Sequence, residues 1–232
     1  MRKQVKLKNG TITFKAQNNS DSAELIFYGD ICMDVYSKWS STDRCPVDVV
    51  NLLSNLDDYK AVNIHINSGG GDAFGGIAIY NLLKSYAGHK TVYIDGLAAS
   101  AASIIAMAGD KIIMPTSAQL MVHSPSACGY GNADDMRKLA EALDNCEESI
   151  LNVYYENLAD GVSKETIAEM VAAETWLTAE KAQQYFKNIE VEHRSINLQN
   201  CGSQFYNFYK NTPQENEDIN LTEELKKLLI IY

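Results

Sequence analysis

Between Ala61 and His123 the chain alternates between a two-residue and a three-to-four-residue apolar period, and this alternation is what most narrows its possible folds. Residues 61–66, 91–95, 112–114 and 119–123 read as strands, whereas 73–86 and 100–109 read as helices. Strands joined through helices imply parallel pairing with crossover connections, so the expected class is α/β.

The loops of that alternation carry the chemistry. Ser100 lies in Gly96-Leu97-Ala98-Ala99-Ser100-Ala101-Ala102-Ser103, after the β-branched run Thr91-Val92-Tyr93-Ile94. From Ala101 to Ala108 every side chain except Ser103 is small or apolar, which suits a buried helix. Ser100 is thus expected at a strand-to-helix turn, beside the free N–H groups and positive dipole end of that helix. A hydrolase uses such a position for a nucleophile, because the developing oxyanion meets those donors. By itself, Ala-Ala-Ser is more often a plain helix N-cap.

Two further segments shift that balance. Ile66-Asn67-Ser68-Gly69-Gly70-Gly71-Asp72 follows the first strand, and its glycines allow positive φ and close backbone approach to a ligand. No Gly-Lys-Ser/Thr follows, which excludes a Walker phosphate loop, and the spacing does not match a dinucleotide-binding loop. Leu120-Met121-Val122-His123-Ser124-Pro125 ends a short apolar strand on a histidine closed by proline, a place where the ring can stand at a sheet edge. His65, His89 and His193 have no comparable setting.

These segments, with Glu174-Thr175-Trp176-Leu177-Thr178-Ala179-Glu180-Lys181-Ala182, occur in the order and near the spacing of one family. The chain resembles the proteolytic subunit of the Clp protease from about Ala23 to His193. Within that family the stretch Gly96 to Met114 looks like the head maturation proteases of phages and prophages.

The resemblance implies the fold and the site. The fold would be the stack of β-β-α units shared with crotonases, carrying a long projecting handle helix. Ser100 would be the nucleophile and His123 the general base. Glu174 would stand where the family usually has an aspartate, and its extra methylene requires a different side-chain rotamer or a shifted backbone. The oxyanion donors would be the backbone N–H groups of Gly71 and Ala101. Gly69, Gly70, Ser124 and Pro125 would border the substrate. Gly69 replaces the proline common in the family, which implies a more flexible loop. The implied reaction is acyl transfer to Ser100 and hydrolysis of the acyl-enzyme, with neither metal nor cofactor.

Composition limits the alternatives. No apolar run approaches the ~18–20 residues that span a bilayer, and Met1-Arg2-Lys3-Gln4-Val5-Lys6 lacks the apolar stretch of a signal peptide. Cys32, Cys45, Cys128, Cys146 and Cys201 form no Cys-x-x-Cys pair, so neither a zinc site nor a disulfide framework is indicated. These features point to a cytoplasmic protein without a membrane partner. Cys128 follows His123 closely but has no helix start beside it. A net charge of −10 disfavours nucleic-acid binding.

Three regions are expected: an N-terminal hairpin segment (1–22), a peptidase domain (23–193), and a polar linker with an amphipathic helix (194–232). In the first, Asn9-Gly10 pairs Leu7 with Ile12 and Val5 with Phe14. Glu24 to Gly29 reads as a core strand, and Val47, Val50, Leu53 and Leu56 after Pro46 form a helical stripe. Residues 132–158 carry a longer stripe through Met136, Leu139 or Ala140, Leu143, Cys146, Ile150 and Val153 or Tyr154, the counterpart of the family's handle. Beyond His193, Phe205, Tyr206, Phe208 and Tyr209 interrupt an Asn/Gln-rich stretch that suits a mobile or partner-dependent segment. Leu221, Leu225, Leu228, Leu229 and Tyr232 then form a final stripe, with Asn220 and Glu223 as a capping box.

Expected partners are further copies of the chain in rings of about seven, as the resemblance implies, and a protein or peptide substrate. Either an ATP-driven unfoldase or phage capsid and scaffold proteins would supply that substrate. A crotonase-type acyl-CoA enzyme is the main competing enzyme class, but it needs no Ser–His pair. A Ser/Lys signal-peptidase type would need a membrane anchor. A catalytically silent assembly protein is the non-enzymatic alternative.

Overall fold

The computed structural model describes residues 22–54 and 61–193. The expected N-terminal hairpin, Leu56 and the C-terminal stripe lie outside the described residues. Ser22–Phe27 (β1), Ala61–Ser68 (β2), His89–Ala99 (β3), Lys111–Pro115 (β4) and Ile189–Glu192 (β7) form a parallel path in the order β1-β2-β3-β4-β7. Gln119–Val122 (β5) pairs parallel with the far end of β3, and Thr175–Thr178 (β6) pairs antiparallel with β5. The sheet therefore forks at β3: Thr91–Tyr93 face β4, while Leu97–Ala99 face β5.

Strict alternation gives the sheet two unlike faces. Leu25, Phe27, Val62, Ile64, Ile66, Val92 and Ile94 are buried in one core with three helices. These are Pro46–Leu53 (α1), Ala73–Ser85 (α2) and Ala101–Ala106 (α3). Glu24, Asn63, His65, Tyr93 and Asp95 lie on the opposite face and are only partly buried. Among the described residues this second face carries polar side chains joined by hydrogen bonds, Asn63 donating to Glu24 at 2.9 Å. His65 lies 2.8 Å from Asp95 and 3.2 Å from Glu24. Its ring stacks on Tyr93 at 4.8 Å between centroids.

The remaining helices are Ala133–Tyr155 (α4), Lys164–Ala172 (α5) and Ala179–Tyr185 (α6). Asn132 caps α4, accepting hydrogen bonds from the backbone of Asp134 and Asp135. Only the second half of α4 is buried, through Cys146, Ile150, Val153 and Tyr154. Met136 in the first half is exposed. No helix among the described residues is long and apolar enough to cross a membrane.

Two local expectations need correction. In α1 the buried residues are Val49 and Leu52, whereas Val47 and Val50 are 49% and 46% exposed. Apolar residues occupy two faces of that helix, and contact with the core selects between them. The strand expected to end at Asp95 runs on to Ala99, because pairing with β5 extends it past Gly96.

Candidate active site

Ser100 follows β3 directly and precedes α3. Its backbone has φ 54° and ψ −126°, a conformation that costs a residue with a Cβ about 1–3 kcal/mol and persists only when its surroundings enforce it. They do so from two sides. The Ser100 N–H donates to the Met121 carbonyl of β5 at 3.0 Å, and the Ser100 carbonyl accepts from the Ser103 N–H at 2.9 Å. Although Ser100 occupies the N-cap position, its side chain makes no capping bond. The hydroxyl instead lies 2.8 Å from Nε2 of His123.

His123 stands immediately beyond β5, which fixes its distance from Ser100 because β5 pairs with the end of β3. The next residue anchors the exit, with the Ser124 N–H donating to the Val171 carbonyl at 3.1 Å. The expected sheet-edge position needs correction: β5 is paired on both sides, with β3 and β6, and the ring stands beyond the strand's C-terminal end.

The glycine loop supplies the other wall. The Ile31 N–H donates to the Gly70 carbonyl and the Asp72 N–H to the Ile31 carbonyl, both at 2.8 Å. This pairing turns the N–H of the intervening Gly71 away from Ile31, as in any parallel bridge. Gly71 has φ 141°, and a Cβ there would stand 2.2 Å from the Ile31 carbonyl oxygen, so only glycine fits. The Gly70 N–H also donates to the Ser68 hydroxyl at 3.1 Å. The loop expected to be freer for lack of proline is pinned at these points, and a Cβ on Gly69 would meet open space. Asp72 completes the turn by capping α2 through the Gly75 N–H at 2.7 Å.

Ser100 and His123 are brought together, but the Glu174 carboxylate does not reach them. Val122 pairs with Thr175, so His123 and Glu174 are neighbours at the end of the same ladder. Yet Glu174 has φ 50°, and its carboxylate accepts from the Trp176 indole N–H at 3.3 Å. Among the described residues no carboxylate lies within hydrogen-bond distance of His123.

A cavity of about 420 Å³ opens on this site, lined by Ser100, Ala101, His123, Gly71 and Pro125. Gly69, Gly70 and Ser124 lie outside its lining. Its far wall was not anticipated from sequence. Leu139, Leu143, Cys146 and Ile150 of α4 face the cavity together with Phe74 and Ile104. Their three-to-four-residue spacing marked a helix face but did not say what it covers. Burial, with the Asp72 carboxylate, pushes the Cys146 thiol above its ordinary range, so it forms a protonated, apolar part of the wall. Cys128 is exposed and is not part of this lining.

Among the described residues no cluster of three or more His, Cys, Asp or Glu is suited to a metal ion.

Comparison with known proteins agrees with this architecture. The pattern defining the Clp protease family matches residues 15–186. The chain is 30% identical over 152 residues to ATP-dependent Clp protease proteolytic subunit 1 of Chlamydia abortus, covering 62% of this chain and 78% of that protein. It is 32% identical over 137 residues to the Streptomyces avermitilis subunit 1, covering 58% and 62%. It is 27% identical over 136 residues to the Bacteroides fragilis subunit, covering 57% and 64%. Among solved structures, an Asn-to-Asp mutant of ClpP1 from Listeria monocytogenes superposes with a TM-score of 0.61 at 23% identity, covering 74% of this chain and 92% of that one.

Proposed function

The chain belongs to the Clp protease family and is a Clp-type serine peptidase, and on that premise we propose that Ser100 attacks the peptide bond with His123 as its base. The carrying observation is the 2.8 Å contact between the Ser100 hydroxyl and His123 Nε2. A serine at an N-cap normally spends its hydroxyl on the helix; this one is turned to an imidazole instead.

In this reading Nε2 is the unprotonated ring nitrogen and the Ser100 hydroxyl donates to it. Attack of Oγ on the substrate carbonyl passes the proton to His123 and places negative charge on the carbonyl oxygen. The Gly71 and Ala101 N–H groups hold that oxyanion. His123 returns the proton to the leaving amine, and a water then releases the acyl group by the same steps in reverse order. Glu174 orients the imidazolium once its side chain turns from Trp176 to Nδ1. The apolar wall from α4 receives the substrate side chain.

Labelling with a fluorophosphonate tests the proposal: modification of Ser100, abolished in Ser100→Ala, is expected. Modification of Ser103 instead, or none where a control serine hydrolase reacts, overturns it.

The assembled form is a ring of about seven copies, a closed cyclic arrangement, with α4 between subunits. For the substrate, the phage-like stretch Gly96 to Met114 and the long segment after His193 favour a head maturation protease trimming capsid or scaffold protein. The relatives' name, ATP-dependent Clp protease proteolytic subunit, favours a second reading, a peptidase fed by an unfoldase. Deleting 195–232 separates them. The first expects retained cleavage of short peptides with lost processing of a co-expressed capsid protein. Undiminished processing removes the role assigned to the tail.

A further inference from the structure

We propose that Ser103 and Tyr154 are positioning residues that hold the peptide group between Ser100 and Ala101, and through it both the nucleophile and one oxyanion donor. The inference rests on Ser100 being the nucleophile. The Ser103 hydroxyl lies 2.6 Å from the Ser100 carbonyl oxygen and 2.8 Å from the Tyr154 hydroxyl. Both residues are almost wholly buried, at 0% and 1% exposure.

The direction of these bonds follows from counting protons. A carbonyl oxygen only accepts, so the single Ser103 proton goes to Ser100. Tyr154 must then donate to the Ser103 oxygen. The result is a one-way chain from Tyr154 through Ser103 to the carbonyl of Ser100. Burial also pushes the Tyr154 hydroxyl above its ordinary range, which keeps its proton in place. Its ring packs on Phe186 with centroids 5.7 Å apart, so the hydroxyl is held where Ser103 needs it.

The consequence lies in the peptide plane. A trans peptide points its C=O and N–H in opposite directions. Drawing the Ser100 carbonyl toward Ser103 therefore aims the Ala101 N–H the other way, toward the cavity that both Ser100 and Ala101 line. Without the side-chain bond, that carbonyl keeps the Ser103 N–H at 2.9 Å and a longer contact with Ile104 at 3.4 Å. These place the helix but leave the plane freer to rock. Tyr154 belongs to α4, so the helix walling the cavity also sets the donor's aim.

The experiment uses the full chain carrying Ser103→Ala, Tyr154→Phe and both together. Ser103→Ala should lower kcat for a short peptide roughly ten-fold or more with little change in KM, since a misaimed donor weakens the transition state and not substrate binding. Affinity for a peptide aldehyde, which forms the tetrahedral adduct, should fall in parallel. Tyr154→Phe should have a smaller effect, and none in the Ser103→Ala background, because it acts only through Ser103. If Ser103→Ala does not fold, the kcat and aldehyde readouts of Tyr154→Phe decide. Additive losses, or losses tracking only the unfolded fraction, overturn the inference. A wild-type protein that no fluorophosphonate labels removes the assignment of Ser100 itself. Variants labelled at the wild-type rate, beside a labelled wild type, remove this inference alone.

Discussion

Gly70 lies directly behind Ser100: a Cβ placed on it would stand 2.7 Å from the Ser100 Cβ and 2.6 Å from the Ala99 carbonyl oxygen. The glycine loop and the Ser100 turn are therefore in backbone contact, and the strained φ of Ser100 is shaped against a surface without side chains.

Gly70→Ala should consequently abolish peptide hydrolysis and destabilise the fold. Gly70 has φ 99°, so strain adds to overlap, and overpacking of this kind costs about 1–3 kcal/mol. Gly69→Ala is the control, since its Cβ enters open space. Melting temperature and peptidase rate, measured side by side, should separate the two neighbours. Equal behaviour would mean that the loop gives way easily.

Replacing Glu174 tests the orienting role proposed for its carboxylate. Glu174→Gln should lower kcat by about 100-fold while leaving the melting temperature unchanged, because an imidazolium without an anionic partner forms less readily. Trp176→Phe removes the N–H that now holds the carboxylate, so activity should be kept or raised. Glu174→Asp asks whether the shorter side chain still reaches the ring. Wild-type rates in Glu174→Gln would assign the orienting role to another group.

The histidine on the second sheet face should make stability depend on pH. The hydrogen bond to Asp95 is the main cause that raises the pKa of His65 above its ordinary value; charge attraction from Asp95 and Glu24 adds to it, against the opposing effect of burial. Tyr28 donates to Asp95 at 2.8 Å, and Tyr93 stacks on the ring. A raised folded value means the stabilisation is full below the unfolded value of about 6.5 and fades as pH rises through the higher folded one. The melting-temperature gap between wild type and His65→Gln should therefore narrow as pH climbs from the acid side. A gap constant across that window would show that the ring contributes by packing alone.

The exposed first half of α4 is expected to meet another subunit. Met136→Glu should shift the particle mass toward smaller species in light scattering, without altering the described fold by circular dichroism. An unchanged mass would move the interface elsewhere.

Much of the site was legible because it depends on local order along the chain. Thr91–Ile94 followed by small residues implies a strand, a turn and a helix, and that sequence of elements puts Ser100 at the turn. The proline after His123 likewise marks the strand end. Less legible was anything chosen by a distant partner. Asp95-Gly96 looks like a strand terminator, yet Asp95 is accommodated because His65 and Tyr28 bond its carboxylate. In α1, Val47, Val49, Val50, Leu52 and Leu53 offer two apolar faces, and only the core decides between them. The turn of Glu174 toward Trp176 is a side-chain torsion that no spacing encodes. Ser103 was visible as the one polar residue in an apolar helix, but its partner lies 51 positions away.

Because the sheet forks at β3, the spacing of Ser100 and His123 depends on one short stretch of pairing. The ribbon of β5 and β6 joins the main sheet through Leu97–Gln119, Ala98–Leu120 and Ala99–Met121, with the bond from Ser100 to Met121 as the last link of the seam. His123 is on one side of that seam and Ser100 on the other. Leu120 and Val122 of that ribbon are wholly buried in the same core as Ala98 of β3, so the seam is held by packing as well as by its ladder. A change in the β3–β5 register would therefore alter the distance between Ser100 and His123 while the pairings along β1-β2-β3-β4-β7 stayed as they are.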